Sequence, residues 1–206
     1  MKINKKKFIY LISPNKITFQ FYQNLKEVLE TKKVSFFQLR LKKYSFNKKI
    51  LIGKKIKQIC KKNNVKFLVN DDPLLAKKLN ADGCHLGQKD TNIIEARKII
   101  GDKIIGITCH NSIRLAKTAI KNKASYLAFG SFFSTKTKKT KYKASTKILN
   151  KAKKLTKAPL VAIGGINYSN YKKLLLNNAN FLAISGYIWN NKKYKPREAI
   201  EKLNEN

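Results

Sequence analysis

Carboxylates are the scarcest charged groups in this sequence, and they are concentrated. Of 206 residues, 46 are Lys or Arg and only 11 are Asp or Glu. All five aspartates, Asp71, Asp72, Asp82, Asp90 and Asp102, fall within about 30 residues. Hard carboxylate oxygens gathered in one stretch suit Mg²⁺, which takes one or two carboxylates and completes its shell with water and substrate phosphate oxygens. Asn70-Asp71-Asp72-Pro73 follows the apolar run Phe67-Leu68-Val69 without a break. Asp72 before Pro73 fits a helix N-cap with proline at the first helical position. That leaves Asn70 and Asp71 for other work, with Asp71 a candidate metal ligand. Asp90 closes the segment Asp82-Gly83-Cys84-His85-Leu86-Gly87-Gln88-Lys89-Asp90. It could cap the next helix or share one Mg²⁺ with Asp71.

Cations and hydroxyls cluster in the same way at the ends of apolar runs. In Gln38-Leu39-Arg40-Leu41-Lys42, the period-two spacing puts Gln38, Arg40 and Lys42 on one side of an extended chain. Arg supplies a bidentate fork and Lys a point charge for an anionic substrate, although a solvated basic loop end is the alternative in so lysine-rich a chain. Thr108 offers a hydroxyl to a phosphate or a polar ring atom. The loop after Gly130 carries Thr135, Thr137 and Lys138. Gly164-Gly165 and Ile184-Ser185-Gly186 allow close backbone approach to a phosphate. The chain has two histidines. His85 alternates with Cys84, so one of the two points inward, and a satisfied core histidine is the reading preferred over a catalytic one. His110 is a candidate for acid–base work but has no evident partner in the sequence.

These residues need a scaffold that brings strand ends together. Eight short apolar runs serve as strands: Phe8–Ile12, Val34–Leu39, Phe67–Val69, Gly83–Leu86, Ile104–Thr108, Tyr126–Gly130, Leu160–Ile163 and Phe181–Ile184. Helical patterns fall between them, as in the Ile50, Ile52, Ile56, Ile59 spacing, and Pro196–Leu203 supplies a last helix. Strands alternating with helices at this rhythm indicate parallel βαβ units. Eight units predict a closed (β/α)8 barrel over residues 1–206 as a single domain; an open doubly wound sheet is the alternative. In such barrels active sites sit at the C-terminal strand ends, with phosphate held after strands seven and eight. The polar residues and the glycines fall at those places.

The formal net charge is +35. Such charge attracts phosphate backbones, which makes a nucleic-acid-binding protein one reading. The lysines, however, are spread over nearly every predicted helix and are not interleaved with aromatics as a stacking platform requires. Compositional drift toward Lys, Asn and Ile accounts for them better, so no specific nucleic-acid partner is expected. The apolar start, Phe8–Ile12, is too short for a signal-peptide core and reads as the first strand. No stretch approaches the roughly 20 apolar residues of a membrane helix. Three cysteines, Cys60, Cys84 and Cys109, match no metal or redox spacing and read as buried thiols in a reducing, cytoplasmic compartment.

Five motifs, in order and over nearly the whole chain, resemble the thiamine-phosphate synthase family: Gln38-x-Arg40-x-Lys42, Asn70-Asp71-Asp72, Asp82-Gly83-x-His85-Leu86-Gly87-Gln88-x-Asp90, Thr135-x-Thr137-Lys138, and Val161-Ala162-Ile163-Gly164-Gly165-Ile166. The resemblance implies an enzyme that condenses 4-amino-2-methyl-5-hydroxymethylpyrimidine pyrophosphate with thiazole phosphate, with Mg²⁺ as cofactor and no membrane partner. It implies that Gln38, Arg40, Lys42, Asn70, Thr108 and Lys138 bind the pyrimidine pyrophosphate. Asp71 and Asp90 would hold the metal. Thr135, Thr137, Gly165, Ile184 and Ser185 would bind the thiazole phosphate. Arg40, Lys42 and Lys138 would stabilise the leaving group. Thr108 stands where the family usually has Ser, Ser131 where it commonly has Pro, and Asn180-Phe181 where an Asp-Gly pair often begins the last strand. A thiazole tautomerase of the same superfamily, shuttling protons through His85 or His110 without metal, is the competing enzymatic reading.

Overall fold

A computed structural model describes residues 7–135 and 141–203. Eight parallel strands form a closed barrel in sequential order, β1 to β8. The strands are β1 (Ile9–Ile12), β2 (Val34–Leu39), β3 (Lys66–Asn70), β4 (Gly83–Leu86), β5 (Ile104–His110), β6 (Tyr126–Gly130), β7 (Leu160–Ile163) and β8 (Phe181–Ile184). The helices are α1 (Phe19–Glu30), α2 (Phe46–Lys62), α3 (Pro73–Lys78), α4 (Ile93–Ile100), α5 (Ile113–Lys121), α6 (Thr146–Lys153), α7 (Tyr171–Leu176), α8 (Gly186–Trp189) and α9 (Pro196–Lys202). The closed barrel is the architecture that the strand rhythm predicts. Two details differ. β5 runs on through Cys109 to His110, so Thr108 lies inside a strand rather than after it. The short α8 after β8 was not foreseen, because four residues are too few to display a helical period.

Alternation along each strand sorts side chains into two layers. Ile9, Leu11, Phe37, Leu39, Phe67, Val69, Cys84, Leu127 and Phe129 pack outward against the helices. Tyr10, Ile12, Leu68, Tyr126, Ala128, Val161 and Ala183 fill the lumen, with Phe36, Ile104 and Phe181 beside them. The lumen is therefore a packed core with its own polar stratum. Gly106 on β5 makes that packing possible. A Cβ there would lie 1.8 Å from Cζ of Tyr126, so only glycine admits the tyrosine ring.

Several polar residues at strand ends turn out to be caps. Thr18, Ser45, Asp72, Asn92 and Ser112 each accept a backbone N–H in the first turn of α1 to α5. Asp72 is thus the cap that its position before Pro73 predicts. Asp90 is not a cap, since Asn92 takes that place on α4. Asp82 accepts the N–H of Phe67 at 2.9 Å and pairs with Lys66 at 3.0 Å, holding the start of β4 to β3. The caps leave Asp71 and Asp90 as the aspartates at the barrel mouth with no helix to cap.

Candidate active site at the barrel mouth

Asp71 and Asp90 meet. β3 ends at Asn70, and Asp71 then adopts φ of +65°, a left-handed turn that Asp tolerates better than most residues. Its N–H donates to the carbonyl of His85 on β4 at 2.8 Å, so the turn is tied to the neighbouring strand. Asp90 is held from the other side: its Oδ2 accepts the N–H of Gly87 at 2.7 Å. A Cβ at Gly87 would lie 2.9 Å from that oxygen, which accounts for the glycine in the Leu86-Gly87-Gln88 sequence. Burial raises the Asp90 pKa above the ordinary carboxylate value, and contact with the Asp71 carboxylate raises it further, against the opposing Gly87 N–H and Lys42 charge. Lys42 Nζ stands 3.2 Å from Asp71 Oδ2. A cavity of about 330 Å³ opens beside Asp71 on the α3 side, lined by Lys42, Asn70, Asp71, Pro73, Leu74 and Leu75 among others, and Asp90 is not part of its lining.

This donor set fits Mg²⁺. Two hard carboxylates held together at the cost of mutual repulsion are what a dication relieves, and one or two protein carboxylates suffice when phosphate and water complete the shell. Among the described residues no third His, Cys, Asp or Glu joins them. Asp71 and Asp90 would therefore hold the ion with substrate oxygens rather than in an all-protein cage.

A hydrogen-bonded chain crosses the lumen below the mouth. Gln38 Nε2 donates to Tyr10 OH at 2.9 Å, and Tyr10 OH lies 2.7 Å from Tyr126 OH. Tyr126 OH lies 2.9 Å from His85 Nδ1, and His85 Nε2 lies 2.8 Å from Thr108 Oγ1. Gln88 donates through its amide nitrogen to the Thr108 carbonyl. His85, not Cys84, is the inward member of its pair, and both its ring nitrogens are engaged. The satisfied-histidine reading holds, with the addition that His85 supports Thr108. Tyr10 and Tyr126 were missed as site residues. Their signal was the parity they share with Gln38, Thr108 and His85 on inward-facing positions.

Arg40 departs from the expected convergence. Its Nη1 reaches Asn15 Oδ1 at 3.3 Å in the loop after β1, and its N–H donates to the Ser13 hydroxyl at 2.9 Å. Gln38 lines the lumen, Lys42 pairs with Asp71, and Arg40 is turned toward the β1 loop.

The opposite side of the mouth is built on glycines. Gly164 and Gly165 have φ of +106° and +64°. The β6 loop folds onto them: Phe132 N–H donates to Ile163 O at 3.1 Å and Phe133 N–H to Gly164 O at 3.0 Å. A Cβ at Gly165 would lie 2.3 Å from Ser134 O. The return of that loop is pinned where Ser131 N–H donates to Tyr142 O at 3.2 Å and Ala144 N–H to Ser131 O at 2.8 Å. The His110 ring stacks on Tyr142 with centroids 3.9 Å apart, so it buttresses this loop. Ser185 Oγ donates to Ser13 O at 3.2 Å, joining the β8 end to the β1 loop. The Ile184 side chain is buried in the outer layer, which leaves only its main chain to serve the mouth. Thr135 is half-buried at the loop edge, and Thr137 and Lys138 lie outside the described residues.

A family profile described as thiamine monophosphate synthase matches residues 9–188. The chain belongs to the thiamine-phosphate synthase family. A thiamine-phosphate synthase of Pelagibacter ubique (strain HTCC1062) is 70% identical over 206 residues, covering 98% of this chain and 100% of that protein. One from Rhodospirillum centenum is 39% identical over 184 residues, covering 88% and 89%. Among solved structures, thiamine phosphate pyrophosphorylase from Pyrococcus furiosus superposes with a TM-score of 0.85 at 29% identity, over 96% of this chain and 94% of that one. No described helix is long and apolar enough to cross a membrane.

Proposed function

We propose that this chain, as a transferase of thiamine biosynthesis, condenses 4-amino-2-methyl-5-hydroxymethylpyrimidine pyrophosphate with thiazole phosphate, releasing pyrophosphate and thiamine phosphate, with Mg²⁺ as cofactor. The observation that carries this reading is the meeting of Asp71, Asp90 and Lys42 past the ends of β2, β3 and β4. Asp71 and Asp90 would hold Mg²⁺, which would supply positive charge to the leaving pyrophosphate. The chain's own residues do the rest. Lys42 stands next to Asp71 and can turn to a pyrophosphate oxygen, and Asn70 at the end of β3 offers its amide to the same group. Lys138, and Arg40 once it swings away from Asn15, would add cationic contacts to the departing oxygens. Gln38 and Thr108 hold the pyrimidine ring at the top of the lumen. Thr135, Thr137, Gly165, Ser185 and the main chain of Ile184 hold the thiazole phosphate, which sets the thiazole nitrogen against the pyrimidine methylene.

The bond from that methylene to the pyrophosphate oxygen breaks, and the thiazole nitrogen forms the new carbon–nitrogen bond. This chemistry needs leaving-group stabilisation and alignment more than proton transfer. His85 held at both ring nitrogens and His110 stacked on Tyr142 favour it over a tautomerase that shuttles protons through either ring. The positive surface draws both anionic substrates inward. Measuring thiamine phosphate and pyrophosphate together, with each substrate and Mg²⁺ withheld in turn, tests the reading. Product is expected only with all three present, and metal-independent turnover of a thiazole alone would overturn it.

A further inference from the structure

β5 breaks its ladder just before it ends. It pairs with β6 in step as far as Thr108 opposite Ala128, then Cys109 is left over and His110 stands opposite Phe129. A bulge of this kind bends the strand and re-aims the side chains beside it. His110 also has φ of +52°, a left-handed conformation that a residue other than glycine keeps only where its surroundings hold it. The re-aimed ring meets Tyr142, with centroids 3.9 Å apart and planes inclined by 18°. Tyr142 is 50% exposed, so the stack belongs to the surface of the mouth and not to the core.

Tyr142 is also where the two arms of the β6 loop are tied. Its carbonyl accepts the Ser131 N–H, and the Ser131 carbonyl accepts the Ala144 N–H. Ser131 Oγ in turn donates to Phe133 O at 2.6 Å, and the Phe133 N–H donates to Gly164 O. A Cβ at Gly164 would lie 2.1 Å from Ser131 Oγ, so the outgoing arm rests directly on the glycines. A displacement of Tyr142 therefore passes through one residue, Ser131, to the arm that lies on Gly164 and Gly165.

We propose that His110 and Tyr142 act together as positioning residues for the thiazole-phosphate half of the mouth. The stack sets where the returning arm of the β6 loop stands and, through Ser131, where the outgoing arm lies on the glycines. The inference rests on the assignment of thiazole phosphate to Thr135 and Gly165 made above. Without the stack the loop must be ordered when the substrate binds, and that cost falls on affinity for the substrate the loop holds. It leaves the step that follows binding unchanged, so KM rises while kcat does not fall with it.

The test measures kcat and the KM of each substrate, with the other saturating and Mg²⁺ fixed, in the wild type, Tyr142→Ala, His110→Asn, the double variant and Tyr142→Phe. Asn removes the ring of His110 yet adopts the left-handed conformation readily. The KM for thiazole phosphate is expected to rise about three- to tenfold in either single variant, the range that one aromatic pair is worth. The KM for the pyrimidine pyrophosphate and kcat should stay close to wild type. The double variant should be no worse than the worse single one, because two residues that act through one contact are not additive. Tyr142→Phe keeps the ring and should keep the wild-type KM. Losses that multiply in the double variant, an equal rise in both KM values, or a Tyr142→Phe as impaired as Tyr142→Ala would each overturn the inference. A wild type that makes no thiamine phosphate from the two substrates would sink the parent reading and this inference with it, whereas an active wild type with no KM split in the variants sinks this inference alone.

Discussion

Asp71→Asn separates a metal ligand from a structural carboxylate. The φ of +65° at this position decides the choice of substitution, because Asn adopts the left-handed conformation readily and Ala does not. The backbone N–H bond to His85 O is untouched by the change. On the stability side, the variant loses an ion pair with Lys42 whose side chains are 55% and 30% exposed. Such a pair is worth about 0–1 kcal/mol, and the repulsion between Asp71 and Asp90 is relieved at the same time. The net change in stability is therefore within about 1 kcal/mol, a Tm shift of no more than about 2–4 °C for a domain of this size. On the functional side, residues that merely orient a ligand cost about 10–100-fold in metal affinity when lost. Removing charge stabilisation from a transition state costs about 10²–10³ in rate. Asp71→Asn is thus expected to lower kcat/KM by at least about 100-fold at a fixed Mg²⁺ concentration while its Tm hardly moves. Steady-state pyrophosphate release and thermal melting of the same preparation measure the two quantities. A loss of less than tenfold, or a loss accompanied by a matching fall in Tm, would refute the metal assignment.

Gly165→Ala should displace the β6 loop, since its Cβ would press on Ser134 O at 2.3 Å from a residue at φ of +64°; the expected result is a raised KM for thiazole phosphate with little change in the KM for the pyrimidine substrate. Gly106→Ala drives a methyl into the Tyr126 ring and is expected to destabilise the fold by about 1–3 kcal/mol, read as a lowered urea midpoint. Burial pushes the Cys84 and Cys109 thiols from an ordinary value of 9.0 up to about 12. The folded protein should therefore resist a thiol-specific chromogenic reagent at pH 8 and react fully once unfolded. The native state also holds protons that the unfolded chain releases, so stability is intact below pH 9 and declines as pH rises from about 9 toward about 12.

The barrel was legible because its signals are local. Each strand is a short apolar run, helical patterns fall between the strands, and Asp72 before Pro73 marks its cap in place. The carboxylates were legible for a similar reason. In a chain so poor in acid, Asp71 beyond the end of β3 has no helix to cap, and that isolates it. Asp90 looked like a possible cap until Asn92 was seen to hold that position. Naming the reaction drew on the resemblance of five motifs to a known family, since charge and periodicity alone stop at metal-assisted phosphate chemistry.

The order of eight βα units, and the residue types at their ends, are written in the linear chain. They follow from alternation, helical period and capping, which act over a few residues. Which of those residues meet is set by the closing of the barrel. Tyr10 and Tyr126 are 116 residues apart and share a 2.7 Å hydrogen bond because the barrel closes. Arg40 has the same parity as Lys42, yet the loop after β1 draws it to Asn15. The contact of Asp71 with Asp90 depends on one left-handed residue and one glycine N–H on adjacent strands. Parity tells which side of a strand a residue takes, but a hydrogen bond requires a partner within about 3 Å, and closure of the sheet is what supplies that partner.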